Sequence, residues 1–286
     1  MQLEHILVIQ NKIDIVIRDK HLAKKQQEEI EKSLCKNGYP WPIIPISAQL
    51  KYNIDVVIDY ICRIPMPIRD FKAAPQMIVI RSFDVNKPGE DAETVRGGVA
   101  GGTILKGVLR VGDEIAIRPG FIRRSHSGIT KWTEIRSQIT TLKADANHLM
   151  YAVPGGLIAV GTRVDPQFTR SDNMVGHIIG KPGSMPQVFI EIDVQTQFLK
   201  RLVGLKDDKI EHIREGEILL VNIGSTSCGG TVTAVPKGKL FARIQLKKHV
   251  CANVGDKIAL SRKVERNFRL IGWGEITNGY ETKNET

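Results

Sequence analysis

The sequence has few cysteines and no long apolar run. Only four of its 286 residues are cysteine, and Cys35, Cys62, Cys228 and Cys251 lack the Cys-x-x-Cys spacing of a zinc site. Isolated cysteines also argue against a disulfide framework, so a reducing, cytoplasmic setting fits best. No apolar stretch is long enough to cross a bilayer, and the first residues do not form a secretory leader. We therefore expect a soluble protein with no membrane partner.

Basic residues outnumber acidic ones. The chain carries 41 Lys and Arg against 31 Asp and Glu, a formal net charge of +10. This excess favours an anionic partner such as nucleic acid, but charge alone does not choose between RNA, a ribosome-like assembly and an acidic protein segment. The length predicts two or three domains, each able to bury a core of its own.

Near the N-terminus, an apolar run at residues 6–9 leads into Gln10-Asn11-Lys12-Ile13-Asp14. A carboxylate at the end of a buried strand can accept two parallel hydrogen bonds from N1 and N2 of guanine, and adenine lacks that pair of donors. Asp14 is therefore predicted to select guanine, with Asn11 bracing the loop and the Lys12 stem lying over the base. Taken alone, Asn-Lys-x-Asp fits an ordinary structural turn equally well.

A second β-branched run, residues 42–46, ends in Ser47-Ala48-Gln49. In a parallel sheet the carboxyl ends of two such strands lie side by side, which is where ligands of open α/β sheets bind. The Ala48 N–H could then donate to guanine O6. The connecting segment is predicted to be a helix that begins after an N-cap at Asp19 and stops at Gly38. The predicted guanine-binding set is Asn11, Lys12, Asp14, Ser47, Ala48 and Gln49.

A further helix is predicted after this second motif. Asn53 is a good N-cap, and Ile54, Val57, Ile58 and Ile61 follow at helical spacing, as in an amphipathic helix packed on a sheet.

The chain carries no motif that would hold nucleotide phosphates. A GTP site needs Gly-x-x-x-x-Gly-Lys-Ser/Thr for the phosphates and an acid such as that of Asp-x-x-Gly for magnesium. Neither pattern occurs, and the pairs Gly97-Gly98 and Gly101-Gly102 lack the Lys-Ser/Thr that should follow. No catalytic residue and no metal ligand is predicted, so whether the chain is an enzyme stays open.

The remaining sequence has a β-rich texture. The prolines in residues 64–70 predict an extended linker. Short β-type runs then alternate with glycine turns, which suggests closed barrels. The predicted strands are residues 77–80, 107–109, 113–117, 156–160, 188–192, 218–224 and 231–235, and the predicted turns are residues 86–89 and 118–120. Phe198-Leu199-Lys200-Arg201 fits a helix or a loop.

One short motif occurs twice. Val111-Gly112-Asp113-Glu114-Ile115-Ala116-Ile117 is echoed 143 positions later by Val254-Gly255-Asp256-Lys257-Ile258-Ala259-Leu260. The match agrees with two related barrels, although independent use of a favourable turn explains it equally well.

Together these motifs resemble the translational GTPases of the elongation factor Tu type, and their wording resembles the gamma subunits of eukaryotic and archaeal translation initiation factor 2. The resemblance is carried by the Asn-Lys-Ile-Asp and Ser-Ala motifs, by Ile80-Arg81-Ser82-Phe83-Asp84-Val85-Asn86-Lys87-Pro88-Gly89, and by Arg269-Leu270-Ile271-Gly272-Trp273-Gly274. It implies an α/β remnant of a P-loop GTPase G domain followed by two all-β barrels, the elongation factor Tu-like domains 2 and 3. The expected boundaries are 1–64 for the G-domain part, 65–74 for the linker, and 75–184 and 185–286 for the barrels.

The resemblance also implies a function. Members of this family bind GTP or GDP with magnesium and carry initiator methionyl-tRNA to the small ribosomal subunit, within a heterotrimer with alpha and beta subunits. The first barrel is expected to hold the alpha subunit, the G domain to engage the beta subunit, and the tRNA acceptor end to lie against the G domain and first barrel. In the family the phosphate motifs precede the guanine motif. We therefore expect Met1 to be an internal methionine of a longer protein, with the magnesium ligands absent here.

Two basic clusters are candidates for contacts with RNA phosphates. The first combines Arg123, Arg124 and Lys131 with His126 and Trp132, and the second contains Arg262, Lys263, Arg266 and Arg269. A solvated barrel rim explains both clusters equally well. Trp273 is predicted to be a packed strand residue.

Two function hypotheses remain. The first is a GTP-dependent tRNA carrier whose N-terminal half is missing from this sequence. The second is a short, non-hydrolysing paralogue that serves as a binding module for the alpha subunit or tRNA.

Overall fold

A computed structural model describes residues 5–35, 41–89, 94–124, 130–199, 213–236 and 240–281. The chain divides into two compact units, Met1–Ile68 and Arg69–Thr286. Within the described residues, no helix has both the length and the apolar character needed to span a membrane.

The first unit is a small α/β layer. Its elements are β1 (Val8–Gln10), α1 (Ile13–Val16), α2 (Lys20–Cys35), β2 (Ile43–Pro45) and α3 (Ile54–Arg63). The two strands pair in parallel, with Val8 opposite Ile43 and Gln10 opposite Pro45, as the two apolar runs predict. The buried side chains Ile44 and Ile46 follow from this pairing.

The predicted cap of α2 is confirmed. Asp19 Oδ1 accepts hydrogen bonds from the backbone N–H groups of His21 (3.0 Å) and Leu22 (3.2 Å), which satisfies donors that the first helical turn leaves open. The predicted stop, Gly38, lies outside the described residues.

The expectation for α3 is only partly correct. The helix forms, but Asn53 does not cap it: its backbone is left-handed (φ 56°) and its side chain donates instead to the Pro45 carbonyl at 2.9 Å. The apolar face is incompletely covered, since Ile58 and Ile61 are 55% and 54% exposed. A side chain that reaches back to the preceding strand cannot also bond the first turn of its helix, so the capping prediction is wrong.

The second unit consists of two closed barrels, as the sequence predicts. The first half contains β3 (Gln76–Phe83), β4 (Val99–Lys106), β5 (Leu109–Arg110), β6 (Glu114–Arg124), β7 (Thr130–Ala144), β8 (Asn147–Leu149), β9 (Tyr151–Ala152), β10 (Ile158–Thr162) and β11 (Ile178–Gly180). The second half contains β12 (Gln187–Phe198), β13 (Ile218–Ile223), β14 (Thr226–Ala234), β15 (Phe241–Ala252), β16 (Lys257–Val264) and β17 (Asn267–Tyr280).

Each barrel closes on itself around its own core. The first runs in the order β10-β4-β3-β11-β6-β7 and closes through β7–β10. In addition, β8 pairs antiparallel with the C-terminal end of β7, and β5 pairs with β9. The second runs β12-β15-β14-β13-β16-β17 and closes through β17–β12. Met77, Leu109 and Ile117 are fully buried in the first core, and Ile192 and Leu219 in the second.

Three local predictions for the first barrel need correction. Residues 118–120 are not a turn but lie inside β6, where the ladder register shifts between Ile117 and Phe121 as in a β-bulge. The predicted strand 107–109 is interrupted at Gly107, which has φ 73° and packs so closely on Pro75 that a side chain has no room. The strand predicted at 156–160 begins only at Ile158.

In the second barrel, Phe198 ends β12, and Lys200 and Arg201 lie outside the described residues.

The repeated Gly-Asp motif forms one bulge in both barrels. Gly112 N–H donates to the Ile139 carbonyl (2.8 Å), and Ile139 N–H donates back to the Asp113 carbonyl (2.9 Å). Gly255 and Asp256 make the same two bonds, at 2.8 and 3.0 Å, with Ile276. Each glycine has a positive φ, 92° and 94°, so two residues oppose one buried isoleucine, the geometry of a glycine bulge.

A third copy of this bulge was not predicted. Gly216 and Glu217 bracket Val232 through bonds of 2.8 and 2.9 Å, and φ of Gly216 is 80°. Glutamate replaces the aspartate at this position, so the Gly-Asp motif does not identify this copy.

The two barrels meet along a seam that has an apolar part and a polar part. Ile178, Val188 and Cys251 form a small buried cluster against which Trp132 and Met185 pack. Burial raises the pKa of the Cys251 thiol to about 12, so this group is a packing residue rather than a nucleophile.

Polar bonds complete the seam. Ser225 Oγ donates to the Val79 carbonyl (2.8 Å), and Thr226 Oγ1 donates to the Gly176 carbonyl (3.3 Å).

Substituting the seam glycine should destabilise the two-barrel unit. In Gly176→Ala, the new Cβ would collide with Thr226 Oγ1 in a backbone of φ 88°, and we expect a loss of about 2 to 4 kcal/mol in the free energy of unfolding from strain plus overpacking. Urea denaturation monitored by tryptophan fluorescence measures this loss.

Gly183→Ala is the matched control. Gly183 has φ 83°, and no atom lies within 4 Å of the position that a Cβ would occupy, so only the backbone strain of about 1 kcal/mol applies. Equal losses in the two variants would mean that the seam contact contributes nothing.

Candidate functional site

The two predicted base-binding motifs lie side by side in the first unit. Beyond the paired strands, Ile46 N–H donates to the Gln10 carbonyl (2.8 Å) and Ile13 N–H donates to the Ile46 carbonyl (3.1 Å). The pairing therefore continues past both strand ends, and it brings the loop that starts at Asn11 against the loop that starts at Ser47.

Asn11 joins the two loops. Its Oδ1 accepts from the backbone N–H of Lys12 at 2.7 Å and from the N–H of Ala48 at 3.2 Å. This geometry agrees with the predicted bracing role of Asn11. The Ala48 N–H, predicted to face guanine O6, already has an acceptor, so a base carbonyl would have to share or replace that bond.

Ser47 orients the carboxylate of Asp14. The buried hydroxyl, 1% exposed, donates to Asp14 Oδ1 at 2.6 Å and accepts from the Leu50 N–H at 3.3 Å. Asp14 Oδ2 has no hydrogen-bond donor within the described part of the chain, so one carboxylate oxygen is fixed and the other is available. A half-buried carboxylate held in this way suits a bidentate acceptor for guanine N1 and N2.

The backbone of both loops contains left-handed residues that the sequence did not reveal. Lys12 has φ 64° and Asn53 has φ 56°. Such conformations cost about 1 kcal/mol or more for residues other than glycine, and they persist only where surrounding contacts impose them. Lys12 and Gln49 are both exposed, so both side chains are free to approach a ligand from the solvent side.

The first basic cluster is only partly assembled as predicted. Arg123 and Lys131 are exposed cross-strand partners on β6 and β7. Trp132 is not on their face, because neighbouring strand residues point to opposite sides; it packs in the seam with the Arg118 guanidinium 5.4 Å from its ring centre. The side chain of Arg124 and all of His126 lie outside the described residues.

The second basic cluster lies on the β16–β17 hairpin. Arg262 is opposite Arg269, and Lys263 is opposite Phe268. Arg262 is engaged in a two-bond ion pair with Glu217, of which the Nη2–Oε2 bond is 3.1 Å. Lys263 and Arg266 are exposed near the hairpin end, so these two are the better candidates for phosphate contact.

A pocket on the first barrel was missed by sequence reasoning. It encloses about 660 Å³. Phe83, Val85 and Val95 contribute apolar walls, and a basic rim is formed by Arg96, Lys143, His148 and Arg163. The signal was Arg96-Gly97-Gly98, since a Cβ on Gly97 would collide with the Thr162 carbonyl and only glycine permits this close approach.

Within the described residues, no group of three or more histidine, cysteine or acidic side chains is placed to hold a metal ion.

Comparison with known proteins gives concordant matches. The family model "Initiation factor eIF2 gamma, C terminal" matches residues 190–276. The chain is 50% identical over 287 residues to eukaryotic translation initiation factor 2 subunit 3 of Drosophila melanogaster, covering 98% of this chain and 60% of that protein. It is 46% identical over 292 residues to eukaryotic translation initiation factor 2 subunit gamma of Schizosaccharomyces pombe, covering 99% and 64%. The chain thus spans somewhat over half the length of these curated relatives.

Solved structures share the fold. Translation elongation factor SelB from Methanococcus maripaludis in its apo form aligns with a TM-score of 0.72 at 18% identity, covering 96% of this chain and 60% of that one. A bacterial selenocysteine-specific elongation factor, EF-Sec, aligns with a TM-score of 0.71 at 20% identity, covering 99% and 41%. These matches confirm the elongation factor Tu-like architecture predicted from the sequence.

Removing the Ser47 hydroxyl should loosen the two loops that are predicted to bind the base. Ser47→Ala deletes a buried donor and acceptor. We expect the free energy of local opening at this loop to fall by about 1 to 2 kcal/mol, which would give roughly 5- to 30-fold faster hydrogen exchange at the Leu50 amide. Ser184→Ala, which removes an exposed hydroxyl bonded to the Lys181 carbonyl, is the control and should leave this exchange unchanged. Unchanged exchange in Ser47→Ala would contradict a stabilising role of this hydroxyl in the loop.

Proposed function

Because the chain belongs to the family of the gamma subunit of translation initiation factor 2, we propose that it forms part of a GTP-dependent carrier of initiator methionyl-tRNA. As a member of this family, the chain is part of a translation initiation factor subunit. We further propose that it binds guanine, takes part in tRNA delivery to the small ribosomal subunit and acts in the cytoplasm. The observation that carries the proposal is the contact between the Asn11–Asp14 loop and the Ser47–Ala48 loop.

Selection of guanine follows from the chemistry of this contact. Asp14, held by Ser47, would accept from guanine N1 and N2, while adenine would leave the carboxylate unpaired in a half-buried position. Lys12 would cover the base with its aliphatic stem, and Gln49 would border it. The proposal assigns no residue of this chain to the nucleotide phosphates, to magnesium or to hydrolysis, because the sequence carries no motif for them.

Exchanging the carboxylate for an amide should change the base that is selected. In Asp14→Asn the side chain offers one acceptor and one donor, which matches xanthine, where a carbonyl replaces the guanine amine. We expect guanosine binding to weaken about 10- to 100-fold from loss of a charge-assisted pair, with xanthosine preferred instead. Nucleoside titrations followed by the amide NMR signals of Lys12, Ala48 and Leu50 measure affinities even in the millimolar range.

Asp19→Asn provides the matched control. The same chemical change at an N-cap of the same unit leaves capping intact, because asparagine caps a helix as well as aspartate does, and guanosine binding should persist. Equal signal changes with adenosine and guanosine in the unsubstituted chain would contradict base selection. That result would favour the alternative hypothesis, a binding module for the alpha subunit or tRNA.

Two surfaces support the tRNA part of the proposal. The first-barrel pocket joins apolar walls to a basic rim that includes Lys143 and Arg163, a combination suited to an unpaired terminal nucleotide and its methionyl group. The β16–β17 hairpin presents Lys263 and Arg266 to solvent, where they would contact backbone phosphates. The cross-strand pair Arg123 and Lys131 is a further phosphate-binding candidate.

A protein partner is also supported on the first barrel. Large apolar side chains are exposed along the segment 150–157, with Met150 76%, Tyr151 61% and Leu157 70% exposed. This segment bonds to β4 through Gly155 N–H and the Ile104 carbonyl at 3.2 Å, beside the exposed Leu105. Clustered exposed apolar groups are typical of protein interfaces, and we assign this surface to the alpha subunit of the proposed heterotrimer. The proposal places the beta subunit on the first unit.

Charge reversal at the hairpin should weaken tRNA binding without altering its selectivity. For Arg266→Glu we expect about three- to tenfold lower affinity and a salt dependence reduced by about one counterion. The loss should be equal for methionylated and deacylated tRNA, since a phosphate contact cannot sense the amino acid. Filter binding across a range of salt concentrations measures both quantities.

Arg110→Glu makes the same charge reversal at an exposed position on β5 of the first barrel. The tRNA affinity of Arg110→Glu should fall by less than that of Arg266→Glu, and the salt dependence of its binding should stay nearer that of the unsubstituted chain. Identical behaviour of the two variants would show that net charge, and not the hairpin, attracts the tRNA.

A further inference from the structure

A cavity of about 430 Å³ lies at the seam between the two barrels. Gln76, Ile78 and Leu105 line it from the first barrel, and Ile223 and Lys257 line it from the second. Leu105 also lies beside the surface assigned to the alpha subunit, but the rest of the lining is separate from the binding surfaces proposed above. Ligand sites are frequent at such interfaces between structural units.

The side-chain amide of Gln76 has no hydrogen-bond partner. Gln76 begins β3, opposite Lys106 of β4, and is only 7% exposed. Its amide forms no hydrogen bond with any residue that the structure describes, and its oxygen and nitrogen keep some accessible surface where the residue lines the cavity. Buried polar groups in proteins are almost always paired. An unpaired amide at a cavity wall therefore indicates a ligand that completes its bonds.

The chemistry of the amide narrows the class of ligand. A carboxamide presents an acceptor and N–H donors side by side, so an oxyanion or a cation would satisfy only one half of it. The N–H and carbonyl of one residue in an extended peptide satisfy both halves, as they do in a hydrogen-bonded strand pair. A nucleobase has similar groups, but proteins hold unpaired bases by stacking on aromatic or guanidinium planes. The described lining contains no aromatic side chain and no arginine.

The walls of the cavity are aliphatic. Ile78, Leu105, Ile178 and Ile223 contribute to them. Cys251 adds to this apolar wall, since burial raises the pKa of its thiol to about 12 and keeps it uncharged. Leu105 is 52% exposed, so a ligand with an apolar side chain would cover surface that now faces water.

The rim of the cavity carries more positive than negative charge. Lys106 and Lys257 are exposed and form no ion pair with a described residue, although the Lys257 ammonium lies 5.8 Å from the centre of the Trp273 ring. Asp256, the carboxylate of the lining, already accepts from the Asn253 N–H through Oδ2 at 2.8 Å. Two lysines against one partly committed carboxylate favour a ligand with acidic groups.

We propose that this seam cavity binds a short extended segment of a protein partner, in which an apolar residue is flanked by acidic residues. The apolar side chain packs on the aliphatic wall, and the N–H and carbonyl of the same residue pair with the Gln76 amide. The flanking carboxylates approach Lys106 and Lys257.

The capped tripeptide N-acetyl-Asp-Leu-Asp-amide is a suitable probe. Titrated into the whole chain, it should shift the methyl NMR signals of Ile78 and Ile223 and leave that of Ile271, in the core of the second barrel, unchanged. Methylation of the leucine nitrogen removes the donor and should weaken binding about tenfold. Exchange of leucine for alanine should weaken it at least about tenfold, and exchange of both aspartates for lysine about three- to tenfold.

Gln76→Met tests the same bonds from the side of the protein. Methionine is of similar length but apolar, so the free chain loses an unpaired polar group and its Tm should stay equal or rise. Peptide binding should nevertheless weaken about tenfold. A purely structural role of Gln76 predicts the opposite, a lower Tm with unchanged binding.

Gln195→Met is the matched control, because Gln195 is exposed on β12 and does not line the cavity. It should leave peptide binding unchanged. Lys106→Met and Lys247→Met make the corresponding comparison for charge. Both lysines are exposed, but Lys247 does not line the cavity, so only Lys106→Met should reduce the preference for the acidic over the basic peptide.

Four results would overturn the proposal. They are no shift of the Ile78 and Ile223 signals with the acidic leucine peptide, equal affinity for its N-methylated form, equal binding by Gln76→Met and Gln195→Met, and binding of uridine at these residues in place of the peptide. The peptide comparisons use the unsubstituted chain, so they decide the question even where a variant fails to fold.

Discussion

Closure of the two barrels is the constraint on which most of this structure depends. Each of the six strands in either closed ring pairs with a neighbouring strand on both sides, which restricts its freedom to rotate a face toward solvent. The two-residue period then sets the side of the sheet on which neighbouring side chains lie. Lys131 and Trp132 are therefore on opposite sides of β7, and Trp132 packs in the seam. The same alternation buries Ile115 and Ile117 and leaves Glu114 exposed.

Much of the fold could be predicted because β-branched runs and their turn residues are local signals. The strands β3, β12 and β13 and the parallel pairing of the first unit follow from such runs. Residues 118–120 were misassigned because Pro-Gly normally ends a strand, whereas here a bulge absorbs both residues and β6 continues. The ion pair between Arg262 and Glu217 joins residues 45 positions apart, and no local pattern announces it.

The proposed base-binding site shows the same division between local and distant information. Its residue types could be read from two short motifs, and the parallel sheet predicted that they would meet. The orientation of Asp14 by Ser47 and the left-handed backbone at Lys12 depend on the exact meeting of two loops, which spacing alone does not give. Asparagine caps many helices, which is why Asn53 was predicted to cap α3. Its side chain instead donates to the Pro45 carbonyl and so ties α3 to the end of β2.

The three glycine bulges also bear on how the barrels assemble. Each one clasps a single buried residue of a neighbouring strand, Ile139, Val232 or Ile276, through two backbone bonds that run in opposite directions. A strand that slipped by one position during folding would lose both bonds at once and would present a surface residue to the core. The bulges therefore favour the correct alignment of neighbouring strands over an alignment shifted by one residue. This matters most in long-range β topologies, where loop closure is slow and misaligned intermediates are prone to aggregate.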